Sequence, residues 1–427
     1  MKILCTADIH IGRRPSRLPI RIDSGTLSAA RAWSAVVEKA IAEEVDLVAV
    51  AGDLVDQANR YYEAVGPVEA GVRKLAARGI RTVAVAGNHD HDILPEIAAR
   101  LDPRHFTLLG RGGQWERFTL EEEGRALLHV DGWSFPSAWH SDDPLREYRR
   151  RPTDGIPVLG LLHADLEQPG SRHAPVALAA LRALPVDFWL LGHVHRGARH
   201  DLPGTPSVLY PGSPQAMDPG ETGAHGAWLV EVDAGGRFSA RHLPLSGVRY
   251  EAVDVDLEGV TEEAEVDRRI TDAVWAAARG VEEGTGPLRI LSLRLRLTGR
   301  TPLHRELPAR SELARELEVE HGEILAVVER VEVATRPARD LEELARGQDA
   351  PAVLARLARG LERGTLDEEQ RQLVLAAAGR AAEVRTARQY LRLADPAQGA
   401  EPTDVAATLQ EQALRLLDEL LAQKEAS

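Results

Sequence analysis

The chain has 427 residues, length for two or three domains, and sets 52 Lys plus Arg against 66 Asp plus Glu for a net charge of −14. That balance excludes a chain-wide basic footprint for nucleic acid, so contact with a phosphate backbone must be local or come from a partner. A lone cysteine, Cys5, excludes a disulfide framework and zinc-finger spacing, and with no signal-peptide core and no apolar run of membrane-spanning length the chain reads as soluble, cytoplasmic and free of the membrane.

In chain order, Lys2–Ala7 predicts a buried strand and residues 26–44 an amphipathic helix with Ala30, Trp33, Val37 and Ile41 on its apolar face. Asp46–Ala51 predicts a second strand, 61–78 a helix, and Arg81–Ala86 a third strand; both strands run into a glycine. After a more irregular middle, the segments 157–162 (PVLGLL) and 186–191 (VDFWLL) repeat the pattern. Apolar runs without alternation mark strands covered on both faces, hence an α/β layered domain over residues 1–245.

Past Leu245 the texture changes. Residues 250–256, 290–297 and 324–331 read as strands, with clean alternation in the first two, and 262–279 and 308–320 read as helices. They predict a small α+β domain, residues 246–335, with one solvated sheet face. From about Arg336 strands disappear, and 349–363, 367–392 and 403–424 read as helices, the last behind the linker DPAQGAEPTD (395–404). Leu354, Leu357 and Leu361 form one stripe, and Leu373, Ala377 and Val384 a second. The stripes fit ordinary helix packing or, since these helices look too few to enclose a core, a surface over residues 336–427 on which a partner docks.

Ligand-type residues stand just past the C-terminal ends of the apolar strands, where open α/β sheets gather their sites. They are Asp8 and His10; Gly52-Asp53-Leu54-Val55-Asp56; Gly87-Asn88-His89-Asp90; His163; and Gly192-His193-Val194-His195. Extended backbone points alternate side chains the same way, which suits Asp-x-His and His-x-His. Imidazole, carboxylate and amide donors suit Mn²⁺, Fe or Zn²⁺, and Asp53 is placed to bridge two ions. Glycines before Asp53, Asn88 and His193 let the backbone turn sharply. Each motif alone is weak; five in this order predict a dinuclear metal site.

This series resembles the calcineurin-like metallophosphoesterase superfamily. MKILCTADIHIG, VAGNHD and LLGHVHR leading to YPGSPQ are similar to its DNA-exonuclease branch, the SbcD type, over roughly residues 1–240. The later domain resembles that branch's capping domain, and the tail its ATPase-docking region in position and character. The resemblance implies a layered β-sandwich flanked by helices. It implies that Asp8, His10 and His195 hold one ion, that Asn88, His163 and His193 hold the other, and that Asp53 bridges. It makes His89 the proton donor to the leaving oxygen and Asp56 the residue that orients it. Asp56 stands where some members of that branch carry His.

The loop GRRPSRLPIRID brings Arg13, Arg14, Arg17 and Arg21 beside the expected metals as candidate DNA contacts; Arg146, Arg149, Arg150 and Arg151 read as charged surface. Trp133, Trp139 and Trp189 are candidates for base stacking, with Trp189 lying in an apolar strand. His91, Asp92, His129, His173 and His225 receive no role. The expected function is a Mn²⁺-dependent DNA exo- and endonuclease subunit acting at DNA ends. The resemblance implies an SbcC-like coiled-coil ATPase as partner and a homodimer formed through helices of the first domain. A phosphodiesterase for nucleotides or small diesters is the enzymatic alternative. A catalytically dead scaffold should lack ligands, and this chain lacks none.

Overall fold

In the computed structural model the described residues are 1–427 other than 20, 21, 23, 58–60, 150–154, 282–285, 384–401 and 427. The first 244 residues supply twelve strands. They are β1 (Lys2–Thr6), β2 (Leu47–Ala51), β3 (Arg81–Val85), β4 (Phe106–Leu108), β5 (Glu116–Glu122) and β6 (Arg125–Trp133), followed by β7 (Val158–His163), β8 (Phe188–Gly192), β9 (Ala198–His200), β10 (Ser207–Tyr210), β11 (Gly226–Val232) and β12 (Phe238–Pro244). The helices here are α1 (Ala29–Ala42), α2 (Tyr61–Ala76), α3 (Ile93–Ala98) and α4 (Leu178–Ala183).

The strands form two six-stranded sheets, ordered β12-β11-β1-β2-β3-β4 and β5-β6-β7-β8-β10-β9. In the first, β1 through β4 run parallel, β11 pairs antiparallel with β1, and β12 antiparallel with β11. In the second, β6, β7, β8 and β10 run parallel, edged by antiparallel β5 and β9. The five strands read from the sequence, β1, β2, β3, β7 and β8, are all inner parallel strands. Ile3, Cys5, Ala49 and Val83 meet Val130, Leu159, Leu161 and Leu190 between the sheets. The alternate residues, Leu4, Val48, Val50 and Ala84, pack on Trp33, Val36 and Val37 of α1 and on α2 and α3. Leu162, Trp189 and Leu191 face outward from the second sheet onto Leu181 of α4. Burial on both faces is the reason these strands read as unbroken apolar runs.

The middle, expected to be irregular, holds β4, β5 and β6. β5 is largely solvent-facing (ERFTLEE) and β4 has three residues, so neither carries an apolar-run signal. β9 to β12 were likewise not anticipated; β9 is a three-residue edge and β12 alternates in burial.

Further on, Val248–Asp256, Ile290–Thr298, Ile324–Val333 and Glu318–His321 form a four-stranded sheet in that order, with helix Glu263–Gly280. The helix expected over 308–320 is corrected: it is Leu307–Ala314, and Glu318–His321 is a strand paired antiparallel to 324–327. Gly322, at φ 58°, makes the tight turn that helix periodicity hid. The solvated face is also narrower than expected. Ile290 and Ser292 are buried, and exposure on that face begins at Arg294.

By internal packing the chain forms two units. One comprises Met1–Asp254, Ile270–Arg296 and Ser311–Glu332; the other Val255–Arg269, Leu297–Arg310 and Val333–Ser427. In the second, helices Ala350–Arg363, Glu368–Glu383 and Pro402–Ala426 are described, and Arg300 donates two hydrogen bonds to the Asp418 carboxylate at 3.3 and 2.9 Å. The buried face of helix 350–363 is Ala352, Ala355 and Ala358, while Leu354, Leu357 and Leu361 are half-buried. Leu373 of the second expected stripe is exposed, and Val384 and most of the linker lie outside the described residues.

Candidate metal centre

The site is built at the C-terminal ends of β1, β2, β3, β7 and β8. Residues 8–11 pair with 52–54: Asp8 N donates to Gly52 O at 3.1 Å, His10 N to Asp53 O at 2.9 Å and Ile11 N to Leu54 O at 2.9 Å. Asp8, His10, Asp53 and His193 all adopt positive φ, at 52°, 51°, 50° and 99°. Four strained non-glycine residues in one cluster are what a functional site tolerates and a mere scaffold does not require. This corrects the expectation that Asp8 and His10 converge by strand alternation; they converge through left-handed backbone.

The glycines have two jobs. Gly52 does turn the chain at φ 89°, as expected. Gly87 and Gly192 do not need the turn; they need the space. A Cβ on Gly87 would stand 2.2 Å from Asp53 Oδ1, and one on Gly192 would stand 1.9 Å from the Ala51 carbonyl oxygen.

The seven expected ligands converge. Asp8, His10 and His195 form one group whose donor atoms all lie within 4.8 Å, and Asp8, Asp53 and His163 another. Asn88 Oδ1 lies 3.1 Å from His163 Nε2 and 3.2 Å from His193 Nδ1. Asp53 Oδ2 lies 3.4 Å from His163 Nε2 and 3.7 Å from His10 Nε2, between the two groups. His10 Nε2 and His195 Nε2 approach to 3.1 Å. Asp53 Oδ1 accepts from the His89 amide at 2.9 Å, and Asp8 from the His193 amide at 3.0 Å.

Electrostatics follow from this crowding. Burial raises the Asp8 pKa above the ordinary carboxylate range. Asp53 is as deeply buried, yet His163, then His10 and His89, hold it well below that range. Against its own burial, His163 is lifted to about 9 by the Asp53 and Asp8 carboxylates. Burial and the His163 charge lower His193 to about 4. The carboxylates thus draw positive charge to the point between them, which is also what a divalent ion supplies. The converging donors are nitrogen and oxygen only, a set that suits borderline and hard divalent metals.

His89 Nδ1 donates to the main-chain oxygen of Asp56 at 2.8 Å. The Asp56 carboxylate lies 3.7 Å from that nitrogen and 3.3 Å from His10 Nδ1. Asp56 therefore meets His89 through its carbonyl, while its side chain faces His10. Burial lowers the His89 pKa.

Several residues had no assigned role in the sequence. Asp90 is wholly enclosed; its carboxylate accepts from Leu54 N and Gly87 N, both at 2.7 Å, stitching the β2 and β3 loops together. Burial and the Asp53 charge push it up to about 7. Glu221 Oε1 lies 2.7 Å from His195 Nδ1, and Asp165 Oδ1 3.4 Å from His193 Nε2. The His173 ring lies 4.6 Å from the His193 ring, centroid to centroid. Asp165 repeats, after His163, the spacing of His10 after Asp8, a signal the sequence did carry; Glu221 had none.

Arg13 is half-buried and its charge acts on both Asp56 and His195. Arg14 and Arg17 are exposed, as are Arg146 and Arg149; Arg21, Arg150 and Arg151 lie outside the described residues. Trp133 and Trp189 are core residues, which removes them as stacking platforms, whereas Trp139 is 65% exposed. Cys5 is buried between the sheets, and burial pushes its thiol pKa up.

A two-sheet α/β sandwich with Asp, His and Asn donors gathered at its strand ends is the metallophosphoesterase fold, and residues 1–197 match the calcineurin-like phosphoesterase family. Residues 250–336 match the middle domain of the metallophosphoesterase YhaO. The uncharacterized metallophosphoesterase YhaO of Bacillus subtilis is 30% identical over 266 residues, 59% of this chain and 62% of that one. The DNA double-strand break repair protein Mre11 of Methanopyrus kandleri is 25% identical over 304 residues, 67% of this chain and 66% of that one. The protein of the same name from Aeropyrum pernix is 37% identical over 231 residues, 51% of this chain and 54% of that one. Each match spans less than two thirds of the relative's own length. Among the described residues no helix is long and apolar enough to cross a membrane.

Proposed function

We propose that the protein hydrolyses phosphodiester bonds at DNA ends with two divalent ions, Mn²⁺ in this reading. The observation that carries it is Asp53 Oδ2, set 3.4 Å from His163 and 3.7 Å from His10, where one oxygen serves both ligand groups. Asp8, His10 and His195 would hold one ion; Asn88, His163 and His193 the other. When bound, the ions supply Lewis acidity toward the phosphoryl oxygens. His89, its Nδ1–H donated to the Asp56 carbonyl, keeps Nε2 for the proton passed to the departing oxygen.

DNA as the substrate draws support from the names of two relatives and from two surface features. Arg13 lies near the ligands, with Arg14 and Arg17 beyond it, a local positive strip on a chain of net charge −14. Trp139 is joined to the centre by short steps: His140 N donates to Arg172 O at 2.7 Å, and the ring of the neighbouring His173 meets that of His193 at a tilt, 4.6 Å between centroids. In this reading the exposed indole is a platform for an unpaired base at a DNA end.

We assign residues 1–245 to catalysis, 246–335 to a cap and 336–427 to the docking of an SbcC-like ATPase. Val353, Leu373, Leu375 and Leu416 are exposed on the tail helices. Homodimerisation would use helices of the first domain, where Tyr62 of α2 is 92% exposed. The test is cleavage of linear duplex and hairpin DNA with Mn²⁺, beside a small chromogenic diester. Cleavage of all three supports the reading. Diester turnover with DNA untouched, even with the ATPase added, replaces it with a small-molecule phosphodiesterase.

A further inference from the structure

The two histidines of Gly192-His193-Val194-His195 present opposite ring nitrogens to the centre. His193 turns Nδ1 inward, 3.2 Å from Asn88 Oδ1, and His195 turns Nε2 inward, 3.1 Å from His10 Nε2. Each outward nitrogen meets its own carboxylate: Asp165 Oδ1 at 3.4 Å from His193 Nε2, and Glu221 Oε1 at 2.7 Å from His195 Nδ1.

Both carboxylates are held from behind. The other oxygen of Glu221 accepts from Met217 N at 2.7 Å, and the Glu221 amide donates to Asp218 O at 2.8 Å. The loop that brings Glu221 in is fastened to the histidine it serves: Ser213 N donates to His195 O at 2.9 Å. Gly212 is needed there, because a Cβ would stand 2.6 Å from that same His195 oxygen. On the other side, the Ser171 hydroxyl donates to Asp165 Oδ2 and the Asp165 amide donates to His173 O at 2.9 Å. The segment YPGSPQAMDPGE thus carries Glu221 to His195, and a separate loop carries the counterpart to His193.

We propose that Glu221 and Asp165 are positioning residues, one for each ion's histidine, an inference that rests on the two-metal reading above. Glu221 accepts the His195 Nδ1–H at 2.7 Å, and Asp165 stands 3.4 Å from His193 Nε2 as the counterpart acceptor. That fixes the tautomer, so that the lone pair of the opposite nitrogen points to the ion, and it makes the ring a stronger donor. The two arms are independent, since they act on different loops and different ions.

The experiment is calorimetric titration of metal-free full-length protein with Mn²⁺, with melting temperatures recorded alongside. Wild type should bind two ions. Glu221→Ala should weaken one of them, and Asp165→Ala the other, each by about 10- to 100-fold. Glu221→Gln keeps an acceptor for the His195 N–H without the charge and should fall between, which also serves if the alanine variant folds poorly. With two equivalents of Mn²⁺, wild type should show the electron paramagnetic resonance of a coupled pair, and Glu221→Ala at equal loading the signal of an isolated ion. Unchanged affinity at both ions in both variants, or lower melting temperatures alone, overturns the proposal. A wild-type stoichiometry of three overturns its Asp165 arm, since Asp165 would then hold a third cation with His173 and His193. A wild type that binds no Mn²⁺ refutes instead the two-metal reading beneath it.

Discussion

The Asp53 carboxylate and the His163 ring stand 3.4 Å apart at the centre of the site, and neither has more than a trace of solvent contact. Each holds the charge of the other: Asp53 stays ionised despite burial, and His163 is lifted to about 9. Asp53→Asn removes a carboxylate whose Oδ2 lies within reach of both His163 and His10. Calorimetry should show loss of paired Mn²⁺ binding, and hydrolysis of a small diester should fall to background. Retention of two tight ions would remove Asp53 from the bridging role.

His89 and Asp56 should separate in their effects. His89→Ala is expected to leave Mn²⁺ affinity unchanged and to lower kcat by about 100- to 10,000-fold, the usual worth of a positioned proton donor. Asp56→Ala keeps the carbonyl that holds His89 but removes the carboxylate 3.3 Å from His10. It should therefore weaken metal binding more than it slows the proton step. Steady-state kinetics at saturating Mn²⁺ separates the two.

Gly192→Ala puts a methyl group 1.9 Å from the Ala51 carbonyl and 2.7 Å from His163 Nδ1. Backbone cannot yield cheaply there. The expected cost is about 1–3 kcal/mol or more in urea unfolding, with weaker Mn²⁺ binding as β8 is pushed away from β2. Gly79→Ala, where φ is 74° and nothing lies within 4 Å, separates backbone strain from collision and should leave metal affinity untouched.

Trp139→Ala should weaken binding of a DNA end by about 1–3 kcal/mol, the worth of one stacked base, without changing turnover of a small diester. Trp139→Phe should restore part of it. Equal loss on both substrates would make the indole a structural part of the loop instead.

For the tail, a cut after residue 336 is a poor instrument, because it removes Asp418 from Arg300 at 2.9 Å within the same unit. Leu373→Glu with Leu375→Glu alters two exposed positions instead. This variant should keep diester hydrolysis and lose co-purification with a coiled-coil ATPase; retained co-purification would refute docking through that helix.

The donor identities were readable in the sequence because each stands directly after a strand buried on both faces, and such strands announce themselves as unbroken apolar runs. The same rule explains what was missed. β5 and β12 are half solvated, and strand 318–321 follows a helix closely enough to be absorbed into it, so periodicity had nothing distinctive to report there.

By itself, then, the sequence marked five of the parallel strands and the donor-type residues at their ends, since these depend on local burial and local chemistry. Only the tertiary structure decided which ring nitrogen each histidine offers, that Gly87 and Gly192 are required by close approach, and that Trp139 alone of three tryptophans faces solvent. Glu221 lies 26 residues beyond His195 and meets it only because a loop folds back. Contacts of that kind are set by packing between distant segments, and no window of sequence contains both partners.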